Sequence, residues 1–180
     1  DWIVGRFGLD KWGNNKNVNE ILNSWKYTRN TSSKDINIPT KITPKLGFWL
    51  GCLVSDGCAS ITYDNYVSLS QIVNNVMEEW INVTKEIFNT EPDIFYDNRS
   101  ENLTSIRIAS KELNRWVKWL GLYDENSGKQ IPQIIMLSNK HVVKQFIRGL
   151  TLDGHVDEKH ITVMSTIDKN ILYKLDILLN

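Results

Sequence analysis

The 180-residue chain predicts a mixed α/β fold of the α+β kind, in which short antiparallel strands alternate with helices, and three observations predict it. Apolar residues recur at helical spacing in several separate segments. Short alternating segments come in pairs around polar turns, as hairpins do. The order helix, hairpin, helix, hairpin, helix is followed by a second helix, hairpin, helix, so the pattern repeats and its second copy is cut short.

Taken in order, residues 1–40 read as a preamble without an assigned role, containing a short helix over Val18–Tyr27. The first repeat occupies residues 41–121. Leu46–Val54 is almost wholly apolar; Gly47 and Gly51, four apart, share one helical face, and Gly57 suits the position past a helix end. Ala59–Tyr63 and Tyr66–Ser70 alternate around Asp64-Asn65 and predict a hairpin. Ile72–Phe88 has helical periodicity, and a second hairpin is expected from Asp93–Tyr96 to Leu103–Ile108. Ser110 is placed to cap a helix over Lys111–Leu120 that Gly121 stops. The linker and incomplete second repeat fill residues 122–180. Ser138 can cap a helix over Asn139–Leu152, a hairpin follows with Ile161–Met164 as its clearest strand, and Asp168–Leu179 closes the chain as helix.

Hydrophobic residues make up 41% and charged residues 23%, which excludes disordered and fibrous classes. No apolar run is long enough to span a bilayer and no signal peptide opens the chain, so no membrane partner and an intracellular, cytoplasmic location are expected. Cys52 and Cys58 do not make a disulfide framework and read as reduced thiols. Lys plus Arg equals Asp plus Glu, 21 against 21. The balance is uneven along the chain: eight basic against four acidic residues over 1–45, three against nine over 46–109, and ten against eight over 110–180. A neutral chain does not coat nucleic acid indiscriminately.

Two apolar helices that each contain a glycine and each end in Asp-Gly are the most informative feature. Gly51 and Gly149 let another backbone approach closely, so the two helices are expected to pack on each other. A carboxylate at a helix C-terminus faces the negative end of the dipole, and two brought together repel unless a cation lies between them. Asp56 and Asp153 with hard oxygen donors suit Mg²⁺, and a cation so held is a route to phosphodiester hydrolysis.

These same residues resemble a known family. Leu46-Gly47-Phe48-Trp49-Leu50-Gly51-Cys52-Leu53-Val54-Ser55-Asp56-Gly57 resembles the first signature helix of the LAGLIDADG (DOD-type) homing endonucleases, and Phe146-Ile147-Arg148-Gly149-Leu150-Thr151-Leu152-Asp153-Gly154 resembles the second. Ile38-Pro39 through Pro44, Ile131-Pro132 through Ser138, and Ser165-Thr166 resemble the flanking phrases, so the likeness covers residues 38–180. The nearest subgroup is the two-motif monomer found in inteins. The resemblance implies a pseudo-two-fold αββαββα repeat with saddle-shaped antiparallel sheets lying on double-stranded DNA. It implies site-specific cleavage of both strands and Mg²⁺, or Mn²⁺, at Asp56, Gly57, Asp153 and Gly154. Gly47, Gly51 and Gly149 would line the helix interface. Thr62, Ser68, Gln71, Arg99, Arg107 and Lys159 are DNA-binding candidates by position on the strands.

The chain departs from the family pattern in three ways. Asp56 follows Gly51 by five positions but Asp153 follows Gly149 by only four, so either a residue is missing near Thr151 or Arg148 replaces the packing glycine. No acidic residue stands two before either catalytic position, and the chain stops before a second hairpin completes the repeat. The family's catalytic lysine has no assigned counterpart, and Asp1 is not the Cys or Ser that opens a splicing intein. The alternative function is therefore a binding module on the same scaffold, maturase-like or regulatory, that has lost cleavage. His155 and His160 read as turn residues rather than zinc ligands, since no Cys or third His is nearby. Trp49, Trp80, Trp116 and Trp119 read as core rather than as base-stacking platforms.

Overall fold

A computed structural model describes residues 15–28, 36–59, 65–71, 74–96, 104–124, 128–151, 155–156, 161–162 and 169–179. Helix α1 spans Asn15–Asn23 and α2 spans Pro44–Asp56. Strands β1 (Gly57–Ala59) and β2 (Val67–Gln71) precede α3 (Asn74–Phe88). Strands β3 (Asp93–Tyr96) and β4 (Thr104–Ile108) precede α4 (Lys111–Trp119). Then come β5 (Tyr123–Asp124), β6 (Gly128–Lys129), the single turn α5 (Gln133–Met136) and α6 (Lys140–Leu150). Strands β7 (His155–Val156) and β8 (Ile161–Thr162) and helix α7 (Lys169–Leu179) complete the described elements. The mixed α/β class is as expected.

The two hairpins expected in the first repeat are one sheet. Its order is β1-β2-β4-β3 and every pairing is antiparallel, with Leu69 opposite both Gly57 and Ile106. Val67, Leu69, Ile106 and Ile108 form the face turned to the core, because directly paired residues share a side of the pleat. That face packs under α2, whose residues 46–54 are all buried. Trp49 and Trp80 stack with centroids 5.4 Å apart, and Phe88 lies 4.6 Å from Trp49. The Trp49 indole N–H donates to Thr84 Oγ1 at 2.8 Å, so burying this polar atom leaves no unpaired donor.

Several boundaries differ from expectation for local reasons. Thr43, not anticipated, is the N-cap of α2: its hydroxyl accepts from Leu46 N, and Pro44 occupies the first turn, where no N–H is needed. Gly57 is extended (φ −79°, ψ 165°) rather than left-handed, because α2 runs straight into β1 while the Gly57 N–H bonds Leu53 O. Asn139, not Ser138, caps α6: its side chain accepts from Val142 N, while the Ser138 hydroxyl donates to Ile134 O, which ends α5. Helix α1 ends at Asn23, four residues before the expected end. Trp119 is 41% exposed and not core, whereas Trp49, Trp80 and Trp116 are fully buried.

The preamble is built into the fold. Val18 and Leu22 of α1 are buried in the common core. Asn19 Oδ1 accepts from Ile42 N, just ahead of α2, and Asn15 Oδ1 accepts from Asn139 N, the cap of α6. One short helix therefore ties together the N-terminal ends of the two motif helices.

Candidate active site at a glycine-lined helix crossing

Helices α2 and α6 cross with their backbones in contact. A Cβ on Gly51 would lie 2.1 Å from Phe146 O and 2.9 Å from Leu150 N. A Cβ on Gly149 would lie 2.4 Å from Phe48 O and 2.8 Å from Cys52 N. The contacts are reciprocal: each glycine presses on the residues three before and one after its counterpart. Gly47 meets Val142 O at 2.7 Å by the same measure. Such distances admit no side chain, which is why glycine stands at all three positions.

This reciprocity decides between the two readings of the short second motif. Gly149 is the packing glycine, and Arg148 points away from the crossing. Its guanidinium lies 4.4 Å from the centre of the Phe48 ring and pairs with Glu79, while Gln145 accepts a further hydrogen bond at 2.8 Å. Arg148 with Phe48, Lys45, Glu79 and Glu86 lines a cleft of about 560 Å³ beside the N-terminal half of α2, away from Asp56.

Asp56 is the last residue of α2 and is half-buried. The Ser55 hydroxyl donates to its Oδ2 at 3.1 Å, which steadies the carboxylate at the negative end of the helix. Lys129 on β6 donates from Nζ to the Ser55 carbonyl, placing an ammonium one residue from Asp56. The Tyr123 hydroxyl on β5 donates to Leu53 O at 3.4 Å. Burial, and after it the charge of Cys58, raises the Tyr123 phenol above its usual range. Burial also raises the Cys52 thiol, with the Glu79 carboxylate the next cause. Both groups are thereby held protonated beside the crossing.

Neither Lys129 nor Tyr123 was anticipated as part of this site. Both lie on two-residue strands in what reads as linker, too short for any periodicity. The Ser-Gly-Lys stretch at residues 127–129 is the signal available, and it is a turn signal.

The remaining predicted residues fall as follows. Asp153, Gly154, Thr62, Arg99 and Lys159 lie outside the described residues, as does His160; of His155 and Gln71 only the backbone in β7 and β2 is described. Ser68 is 6% exposed and lies opposite Arg107, on the same face of the sheet. Arg107 is exposed on the solvent face of the sheet, with its guanidinium 4.6 Å from the Phe95 ring centre and 5.3 Å from that of Tyr66.

Among the described residues no three His, Cys, Asp or Glu side chains converge on a common point. The donors present near the end of α2 are one carboxylate and backbone carbonyls, all hard oxygen ligands. This set fits Mg²⁺ or Mn²⁺ bound through one carboxylate, with water and phosphate oxygens completing the shell, and does not form a closed cage. No described helix is long and apolar enough to cross a membrane.

No family model matches the chain. An A-type ATP synthase subunit from Pyrococcus abyssi (strain GE5 / Orsay) is 29% identical to it over 132 residues, covering 69% of this chain but 12% of that protein's length.

Proposed function

We propose that the protein is a DNA endonuclease of the LAGLIDADG type, acting on double-stranded DNA through Asp56 at the foot of α2. The observation that carries this reading is the reciprocal glycine crossing of α2 and α6. It gives a mechanical purpose to the motif glycines and brings together the two segments that resemble the family's signature helices. The sheet under α2 supplies a solvent face bearing Arg107, and Asp56 lies where that sheet begins.

A divalent cation held by Asp56 would supply positive charge to a scissile phosphate and favour ionisation of a water beside it. The chain's own part is positional. Ser55 orients the carboxylate through its hydroxyl, and Lys129 adds a fixed positive charge next to it. The water's hydroxyl bonds to phosphorus while a phosphorus–oxygen bond breaks, and the departing sugar oxygen takes up the proton. A monomer with internal pseudo-symmetry, in an intracellular setting, is the matching expectation.

The chain spans about 12% of the length of the ATP synthase subunit it matches, and that likeness carries no part of the endonuclease reading. ATP synthesis does not transfer to this chain, whose 180 residues contain no G-x-x-x-x-G-K-S/T phosphate loop. The second reading is a binding module that no longer cuts, and the shorter α6 favours it.

The test is to recover duplexes from a randomised pool by binding in Ca²⁺ and then transfer them to Mg²⁺. Cleavage that falls at least about 100-fold in Asp56→Asn supports the endonuclease. Sequence-specific binding with intact DNA in both Mg²⁺ and Mn²⁺ supports the binding module instead.

A further inference from the structure

We infer that the outer side of α4, with the aromatic residues packed against it, is a docking surface for single-stranded nucleic acid. It is separate from the glycine crossing and from the sheet face that bears Arg107, and it depends on neither Asp56 nor a metal.

Helix α4 has two unlike sides. Leu113, Asn114, Trp116 and Val117 are buried, and Glu112, the one acidic residue of the helix, is 8% exposed. At about 100° per residue, Lys111, Arg115, Lys118 and Trp119 share the opposite side. Lys111, Arg115 and Trp119 are exposed there and Lys118 is half-buried. This side of the helix thus carries three positive charges, one large ring and no carboxylate. The apolar side turns to the core that also receives the inner face of the sheet, so the charged side looks away from that core.

Trp119 is backed by a second segment of the chain. After α1, the Ser24 and Trp25 N–H groups donate to Ile21 O and Leu22 O, at 2.9 and 3.3 Å. The Asn23 amide ties this turn to Thr40 O at 3.3 Å. Trp25 is thereby brought against Trp119, with ring centres 5.3 Å apart. Tyr27 lies 6.2 Å from Trp25 and parallel to it within 5°, and the Arg115 guanidinium lies 5.7 Å from the centre of the Tyr27 ring. Trp119 still keeps 41% of its surface open. An indole supported by another indole and open on its far side meets a flat partner with little ordering left to do.

Cations beside an open ring fit a polyanion that presents planar faces. Single-stranded nucleic acid supplies both, phosphates for Lys111, Arg115 and Lys118 and an unpaired base for Trp119. A duplex hides its base faces in its own stack, and an acidic polypeptide has no ring to offer with each charge. A lipid surface takes up apolar side chains, and those of α4 are already committed to the core.

Fluorescence anisotropy with a labelled oligothymidylate of about 16 nucleotides, in EDTA, tests this. Trp119→Ala should weaken binding about 10-fold, and Trp119→Phe, which keeps a ring, should retain most of the affinity. Replacing Lys111 and Lys118 together by Gln should flatten the logarithmic salt dependence by about 1.4, at about 0.7 for each phosphate contact. Trp119→Ala should leave that slope unchanged. If Trp119→Ala lowers the urea midpoint, Trp119→Phe and the lysine pair still carry the test.

No binding of the oligothymidylate, or binding that Trp119→Ala leaves intact, would overturn the inference. Displacement of the strand by a random duplex or by polyglutamate at equal concentration of charge would do the same. Loss of binding in Arg107→Ala with Trp119→Ala unaffected would move the strand to the sheet and overturn it as well. Trp119-dependent binding to phosphatidylserine vesicles without binding of the strand would assign the face to a lipid surface instead. The titration contains no divalent cation and reads no cleavage, so its failure leaves the endonuclease reading standing and its success does not support that reading.

Discussion

At the scale of single residues, the glycines separate cleanly into two kinds. Gly51→Ala and Gly149→Ala each drive a methyl group into a backbone carbonyl of the opposite helix, which cannot swing aside as a side chain would. Each should destabilise the fold by about 3 kcal/mol or more, read from urea melts. Gly121, at φ +80° with open space around it, should lose only about 1 kcal/mol as alanine, from backbone strain alone. The two cysteines divide in the same way. Cys58 is exposed and should react at once with a thiol reagent, while buried Cys52 should react only on unfolding. Cys52 and Tyr123 both bind their protons more tightly in the folded chain than in the unfolded one. The unfolded chain therefore releases protons first as pH rises, and stability should fall above the ordinary thiol range, measured as a lower urea midpoint. Gly51 and Gly149 were legible in the sequence because an unhelical residue in an apolar helix demands a reason. Whether Arg148 or Gly149 made the contact was not, since both choices keep the segment amphipathic.

Among the elements, α1 is the one whose role the sequence concealed. Its apolar residues are few, and the asparagines that do its work look like ordinary loop formers. Asn15 and Asn19 each satisfy a backbone N–H at or beside the start of a motif helix, where no carbonyl within the helix can. Asn15→Leu and Asn19→Leu should each cost about 1 kcal/mol in urea unfolding. Asn→Asp at the same sites keeps the accepting oxygen and should retain most of that stability. The longer helices and strands β2, β3 and β4 were legible because their periodicity is strong, whereas β1 at Gly57–Ala59 was not, since Gly57 reads as a helix stop and the expected strand begins only at Ala59. Their union into one sheet was not, since the pairing of β2 with β4 joins segments that are distant in sequence, with α3 between them. The caps were half legible: Ser110 caps α4 as expected, through its bond from Leu113 N, yet Ser138 yields to Asn139 because its hydroxyl is taken by α5.

For the whole molecule, the even balance of 21 basic and 21 acidic residues has a consequence for how DNA would be held. Few phosphates can be neutralised, so nonspecific affinity should be weak and its dependence on salt shallow, with a logarithmic slope of magnitude below about 5. Filter binding of a random duplex across a series of salt concentrations measures this. The crossing of the two motif helices was legible from their glycines, but the one-residue difference in spacing left open which residue of the second helix makes the contact. The contact pattern of the glycines answers that with Gly149.

The crossing of α2 and α6 also separates what the chain needs in order to fold from what the proposed chemistry would need. Gly47, Gly51 and Gly149 are demanded by packing whether or not any phosphate is ever hydrolysed, whereas Asp56 stands half-buried at the end of its helix, outside the apolar core. A substitution at Asp56 should therefore leave the fold intact, whereas one at Gly51 or Gly149 should not, so the glycines report on folding whatever becomes of the carboxylate.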